Sequence, residues 1–195
     1  IFDKNLKKLL GALTIGWSPV EKVLIEVYVL DNMAGILDER DPELDTIIIR
    51  ADDAYKKADI ITTLLNTFIH EAGHMQHFDL QEETKKNFEE EWFKLTDDGN
   101  IEKGRKKYKY ERGTGENKDY IPDLKSSGFI YDYNAEKVEE DIATYIENAN
   151  YVNQKVPEFH QKLYSGKYKE KTCLLCKYCL LPKNEGICKE LICTK

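Results

Sequence analysis

A long amphipathic stretch from about Ala54 to Phe78 constrains the fold more than any other part of the sequence. Its apolar side chains recur every three or four residues, at Ile61, Leu64, Leu65, Phe68, Ala72 and Met75. This period is typical of a helix that packs one face on a protein core. At about 100° per residue, His70, His74 and His77 lie on the opposite face. The sequence therefore predicts a long helix with one apolar face and one histidine-bearing face.

The run His70-Glu-Ala-Gly-His74 on this helix has the spacing of a metal-ligand pair. Two histidines four residues apart lie one turn apart, and both imidazoles can bind one Zn²⁺ at about 2.0–2.1 Å. Glu71 is rotated by about 100° from His70, so its carboxylate can act as a general base on water at the metal. This chemistry predicts hydrolysis of peptide bonds. The alternative is a chance occurrence of the five residues on a solvated helix face.

A catalytic zinc ion needs a third protein ligand, and several candidates are poorly placed to supply it. His77 lies about 10.5 Å along the helix from His70, which is too far for both to bind one ion. His160 follows Pro157 in a short polar segment that is typical of a surface helix. The acidic cluster Glu89-Glu-Glu91 is flanked by lysines, and we expect it to form a solvated helix face.

The pair Glu139-Glu140 provides the favoured third ligand. It lies in a second predicted helix, from Ala135 to Ala149, and Glu140 is the member opposite the apolar stripe of that helix. The stripe consists of Val138, Ile142, Tyr145, Ile146 and Ala149. The small residue Ala143, one turn after Glu140, permits another helix to come close. Gly73, inside the histidine-bearing helix, also favours a close approach by another element.

With these residues in place, the sequence resembles the gluzincins, zinc peptidases that carry HExxH on one helix and a glutamate ligand on a later helix. The resemblance covers residues 61–78 and 131–147. The segment from Tyr133 to Thr144 is similar to that of lethal-factor-like zinc peptidases, in which a tyrosine precedes a Glu-x-x-Ala motif by seven residues. The resemblance implies that Glu140 is the third zinc ligand and that the Tyr133 hydroxyl stabilises the oxyanion of the reaction. Many such relatives have a second glutamate where this chain has Thr144.

We expect an α+β fold, with a zincin-like domain over residues 1–170 and a cysteine-rich tail over residues 171–195. The domain would contain a small antiparallel sheet, the histidine-bearing helix and the second ligand-bearing helix. Apolar and β-branched runs predict the strands of that sheet. The runs are Val23–Leu30, Ala34–Leu37 and Thr46–Arg50, and a further extended segment is expected at Phe129–Tyr131.

All five cysteines lie in the tail, where Cys173, Cys176, Cys188 and Cys193 have a spacing close to that of a zinc ribbon. A second, structural zinc ion bound by these four thiolates is the leading hypothesis, with Cys179 left over. Disulfides in an exported protein and an iron–sulfur cluster are the alternatives. A metal-binding helix followed by a cysteine-rich module also resembles SprT-like proteins, which act on proteins bound to DNA, although their histidine third ligand is not found here.

The expected partner is a protein or peptide substrate. A net charge of −7 argues against a nucleic-acid-binding surface over the whole molecule, and the basic run Lys103–Arg112 is interpreted as a solvated loop, with nucleic acid as the alternative. No apolar run is long enough to cross a bilayer. The clustered cysteines favour a cytoplasmic location over a secreted one. The alternative function is a non-catalytic zinc-binding module that regulates or associates with protein or nucleic acid.

Overall fold

A computed structural model describes residues 23–28, 36–38, 45–50, 60–108, 123–151, 162–181, 186–191 and 193. Side chains are described from residue 66 onwards, except at positions 150, 151 and 186. The chain divides into two compact units, Ile1–Ala72 and Gly73–Lys195. The predicted boundary between residues 170 and 171 stays a prediction, and it falls inside a helix that runs from Gly166 to Lys177.

Three strands precede the first described helix, and their arrangement corrects the expected fold. They are β1 (Val23–Tyr28), β2 (Ile36–Asp38) and β3 (Asp45–Arg50), in the order β1-β3-β2. β1 pairs with β3 in parallel, with Val23 opposite Asp45, and only β2 pairs with β3 in antiparallel orientation. The predicted small antiparallel sheet is therefore wrong. Apolar periodicity identifies strand segments, but the direction of pairing depends on how the connections cross, which is not a local property.

From residue 60 onwards the described chain is helical and contains no strand. The helices are α1 (Ile60–Phe78), α2 (Glu82–Thr96), α3 (Ile101–Lys106), α4 (Leu124–Ser127), α5 (Val138–Tyr151), α6 (Gly166–Lys177) and α7 (Gly186–Glu190). A single 3₁₀ turn, Asp132–Ala135, precedes α5. The α+β expectation is thus wrong for this part of the chain, and the extended segment predicted at Phe129–Tyr131 is wrong as well. Phe129 and Ile130 are buried as connecting residues instead.

The second compact unit, Gly73–Lys195, is called the helical unit here. Its core is built largely from aromatic side chains. Phe88 and Trp92 of α2 lie 5.5 Å apart between ring centroids, and Trp92 makes an edge-to-face contact with Tyr145 of α5. Both rings of the Trp92–Tyr145 pair are fully buried. The Tyr145 hydroxyl is satisfied because it donates a hydrogen bond of 2.7 Å to the carbonyl of Gly128. Such aromatic contacts stabilise a core beyond the area that they bury.

The cysteine-rich tail is held by two disulfides, which corrects the predicted zinc site. Cys173 pairs with Cys193, and Cys176 pairs with Cys188, so these four residues have no thiolate left for a metal. Cys179 is the remaining, exposed thiol. The physical reason is geometric: Cys173 and Cys176 lie one turn apart on α6, and each comes within disulfide reach of a different later cysteine. The same spacing fits zinc or two crosslinks, and only the fold decides between them.

Candidate metal centre

Helices α1 and α5 come into close contact at two small residues, Gly73 and Ala143. A β-carbon placed on Gly73 would lie 3.1 Å from the Cα of Ala143 and 3.4 Å from its Cβ. Ile146, three residues further along α5, would lie equally close to that β-carbon, at 3.4 Å. The predicted close approach at Gly73 and Ala143 is therefore confirmed. It brings together His74, which follows Gly73 directly, and Glu140, which lies about one turn before Ala143.

His70, His74 and Glu140 form a group that could hold a metal ion, and we call it the metal group. One ligand atom from each residue lies within 4.8 Å of the others. His74 Nε2 and Glu140 Oε2 are 3.5 Å apart. Two ligand atoms on one tetrahedral ion with bonds of about 2.0–2.1 Å are separated by about 3.3–3.4 Å, so this pair already has suitable spacing. The group is the only one of its kind in the part of the chain whose side chains are described.

These ligands are largely buried, with Glu140 the most exposed of the three. His70 and His74 are 9% and 8% exposed, while the side chain of Glu140 is 22% exposed. Three protein ligands leave a fourth tetrahedral position for water or substrate. The preference for Glu140 over Glu139 thus agrees with the geometry, because Glu140 alone of the two belongs to the group.

Tyr133 lies beside the metal group, because its hydroxyl donates a hydrogen bond to Glu140 Oε2. It belongs to the 3₁₀ turn Asp132–Ala135, where two backbone N–H groups bind side-chain oxygens. The Tyr131 N–H donates to Asn134 Oδ1 at 2.8 Å, and the Tyr133 N–H donates to Asp132 Oδ1 at 2.9 Å. The seven-residue spacing between Tyr133 and Glu140 therefore brings the two side chains together.

Glu71 is only 6% exposed and follows His70 directly on α1. It is not a member of the ligand group, in keeping with a role other than metal binding. Its predicted role as a general base stays a prediction.

His77 is not a ligand, and the structure assigns it a different environment. It is fully buried, and its Nε2 lies 3.1 Å from Glu89 Oε1 on α2. Its ring also packs against Phe78 and Phe88, each at 5.8 Å between centroids. The adjacent His77 imidazole holds the pKa of Glu89 below its ordinary value, although burial opposes that shift. Glu89 is thus partly exposed, at 26%, while its carboxylate faces a buried histidine.

Asp141 is the functional candidate whose environment the sequence analysis missed. It is fully buried, and three donors converge on its Oδ2 atom: Trp92 Nε1 at 2.9 Å, Tyr108 Oη at 2.8 Å and Lys171 Nζ at 2.7 Å. Burial raises the pKa of Asp141 and lowers the pKa of Lys171, and each charge opposes the shift of the other. A signal was available, because Asp141 follows Val138 by three residues and precedes Tyr145 by four, which places it within the apolar stripe.

Comparisons with known proteins leave the resemblance to gluzincins as a prediction. No family model matches the chain, and no curated protein or solved structure matches it either. Among the described residues, no helix combines the length and the apolar character needed to cross a membrane.

Proposed function

We propose that this chain is a zinc-dependent endopeptidase of the gluzincin type. The observation that carries the proposal is the convergence of His70, His74 and Glu140 from two helices onto one point, with ligand atoms within 4.8 Å of one another. Two imidazoles and one carboxylate, with one position open, are a donor set that zinc accepts in hydrolytic enzymes. Other divalent metals accept imidazole and carboxylate too, so metal identity is part of the test.

A bound zinc ion would supply Lewis-acid chemistry and lower the pKa of a water molecule at the open position towards about 7. The remaining chemistry belongs to the side chains of the chain itself. Glu71 accepts a proton from the attacking water and afterwards delivers it to the leaving amine. Glu71 is placed for this role because it follows the ligand His70 directly on α1 and is only 6% exposed.

Tyr133 donates its hydroxyl to the oxygen that gains negative charge when a peptide carbonyl is attacked. The support for this role is that the hydroxyl is already at the metal group, bound to Glu140. On substrate binding the hydroxyl would exchange the Glu140 oxygen for the substrate oxygen. Removing one such donor typically lowers kcat by about 10²–10³-fold.

The test combines metal analysis with hydrolysis of a broad peptide library. The wild-type chain should bind one zinc ion and cleave peptides, and Glu71→Gln should keep the metal while losing about 10²–10⁴-fold in rate. Glu140→Ala should lose the metal. The matched control is Glu139→Ala, which changes the neighbouring carboxylate on the same helix and should change neither property.

Two results would contradict the proposal. Zinc content that is unchanged in Glu140→Ala would show that this carboxylate is not a ligand. A zinc-loaded wild-type chain that cleaves no member of the library would instead support the alternative of a non-catalytic zinc-binding module.

A further inference from the structure

The carboxylates of Glu140 and Asp141 are adjacent in sequence and point in directions about 100° apart around the axis of α5. Glu140 is directed to the metal group, and Asp141 is directed into the core of the helical unit. Any rotation of α5 that moves one carboxylate must therefore move the other. The contacts of Asp141 bear directly on the position of Glu140.

Three separate parts of the chain hold Asp141. Trp92 comes from α2, Tyr108 follows α3, and Lys171 comes from α6. All three bind the same oxygen, Oδ2, at 2.7–2.9 Å. A carboxylate that accepts three short hydrogen bonds from three elements has one position only, because a shift that improves one bond breaks another.

Lys171 is the most demanding of these partners, since it is a fully buried cation. Its Nζ lies 4.9 Å from the ring centroids of both Trp92 and Phe129, and 5.5 Å from that of Tyr145. It also donates to the Gly128 carbonyl at 3.4 Å. A buried ammonium without a counter-charge is costly, so the lysine stays in this aromatic cage only while Asp141 is opposite it.

The opposite side of α5 is held by a steric contact. Ala143 lies against Gly73 of α1 with no room for a larger residue to enter without movement. The helix is thus fixed at Ala143 by packing and at Asp141 by charge. Glu140 precedes both in sequence and lies between them in angle around the helix axis, and its Oε2 is 3.5 Å from His74 Nε2.

We propose that Lys171 and Asp141 form a positioning pair, which sets the rotation of α5 and thereby holds Glu140 in register with His70 and His74. This inference rests on the metal-binding part of the proposed function. Neither residue touches the metal group through a contact described above; both act through Glu140. Residues that orient metal ligands typically change metal affinity by about 10–100-fold when they are removed.

The experiment measures zinc affinity by competition with a chelator, in the full chain and without reductant, so that the paired cysteines do not bind zinc. All variants carry Cys179→Ser, which removes the one free thiol. Lys171→Met removes the buried charge and keeps a side chain of similar length. The matched control is Lys177→Met, which breaks an exposed ion pair of equal length, 2.7 Å, from the same helix to Glu91.

Lys171→Met should weaken zinc binding by about 10-fold or more, and Lys177→Met should leave it unchanged. The visible spectrum of the Co²⁺-loaded protein provides a readout that a purely structural role would not move, because it reports ligand geometry at the metal. We expect Lys171→Met to alter that spectrum. A folded Lys171→Met chain with wild-type zinc affinity and an unaltered cobalt spectrum would overturn the proposal.

If Lys171→Met does not fold, the double variant Asp141→Asn/Lys171→Met removes both charges and avoids an unpaired carboxylate. It should fold and still bind zinc more weakly than the wild-type chain, whereas wild-type affinity would overturn the proposal. The two proposals fail differently. Zinc binding without peptide hydrolysis overturns the proposed function alone, while a wild-type chain that binds no zinc overturns both.

Discussion

Glu140 and Asp141 are neighbouring carboxylates on one helix with opposite environments. Glu140 keeps 22% of its side chain exposed and joins two histidines in a group that could hold a metal ion. Asp141 is fully buried and is neutralised by a buried lysine. The first contributes a ligand atom to the metal group, and Oδ2 of the second is bound by three donors of the protein. The difference arises only from the turn of about 100° between successive residues of a helix.

The comparison separates ligand binding from stability within one turn of α5. A partly exposed carboxylate can exchange one partner for another, because water and neighbouring side chains compensate for each loss. A buried one cannot, because removal of either charge leaves the other without a partner in a low-dielectric core. Substitution of Glu140 should therefore act mainly on zinc affinity, and substitution of Asp141 should act mainly on the free energy of unfolding.

The largest effect is expected when the buried pair is broken. Asp141→Ala should lower the free energy of unfolding by about 3–5 kcal/mol, because Lys171 would remain as a buried and unpaired cation. Glu140→Ala should lower it by about 1 kcal/mol in metal-free protein, through loss of the hydrogen bond from Tyr133. Urea unfolding of both variants in a chelating buffer measures the two values. Equal losses would contradict the division of roles.

Loss of a disulfide should have the next largest effect, and it should act on the buried side of the comparison. Each bond crosslinks α6, which carries Lys171, to the end of the chain. Cys173→Ser/Cys193→Ser should lower the free energy of unfolding by about 2–4 kcal/mol. Cys179→Ser is the matched control, since this thiol is exposed and unpaired, and it should change stability by less than about 0.5 kcal/mol. A stable double variant would indicate that α6 is held by packing alone.

A substitution at the helix contact should disturb both carboxylates together. Ala143→Leu places extra volume against Gly73 and should cost about 1–3 kcal/mol of stability by overpacking. It should also weaken zinc binding, because it pushes Glu140 away from His74. Ala149→Leu overpacks another buried position of the same helix and provides the control. Zinc titration of both folded variants would contradict this prediction if the two affinities were equal.

Glu89 is 26% exposed, similar to Glu140, and its substitution should have the smallest effect on stability. Because its pKa is lowered in the folded state, chiefly by the adjacent His77 imidazole, the charged form contributes stability above the ordinary pKa of 4.5. That contribution should be lost as the pH falls through the lower, folded-state pKa. Glu89→Gln should therefore be less stable than wild type at pH 7, and the difference should disappear in acid.

Thermal unfolding between pH 7 and pH 2.5 measures this effect. Glu90→Gln is the control, because the described part of the chain provides no ion pair for Glu90. A constant difference between Glu89→Gln and wild type across this range would mean that His77 and Glu89 are not coupled through the charge of the carboxylate.

Several features of the site were predictable because they depend on local periodicity. The apolar repeat predicted a helix from about Ala54 to Phe78, and the structure has α1 at Ile60–Phe78. The same reasoning placed Glu140 opposite the apolar stripe of α5. A helix fixes the angle between its own residues, so these relations follow from spacing alone.

The wrong predictions about the sheet and the tail concern partners that are distant in sequence. The direction of strand pairing and the pairing of Cys173 and Cys176 with later cysteines depend on how separate segments come together, and so does the burial of Lys171 opposite Asp141, which was not predicted. Four cysteines at this spacing satisfy either a metal or two disulfides, and a lysine in a charged segment carries no sign of burial. The spacing of residues in the sequence therefore determined which side chains share a helix face. Only the tertiary structure decided which other segments each face contacts, because those segments are distant in sequence.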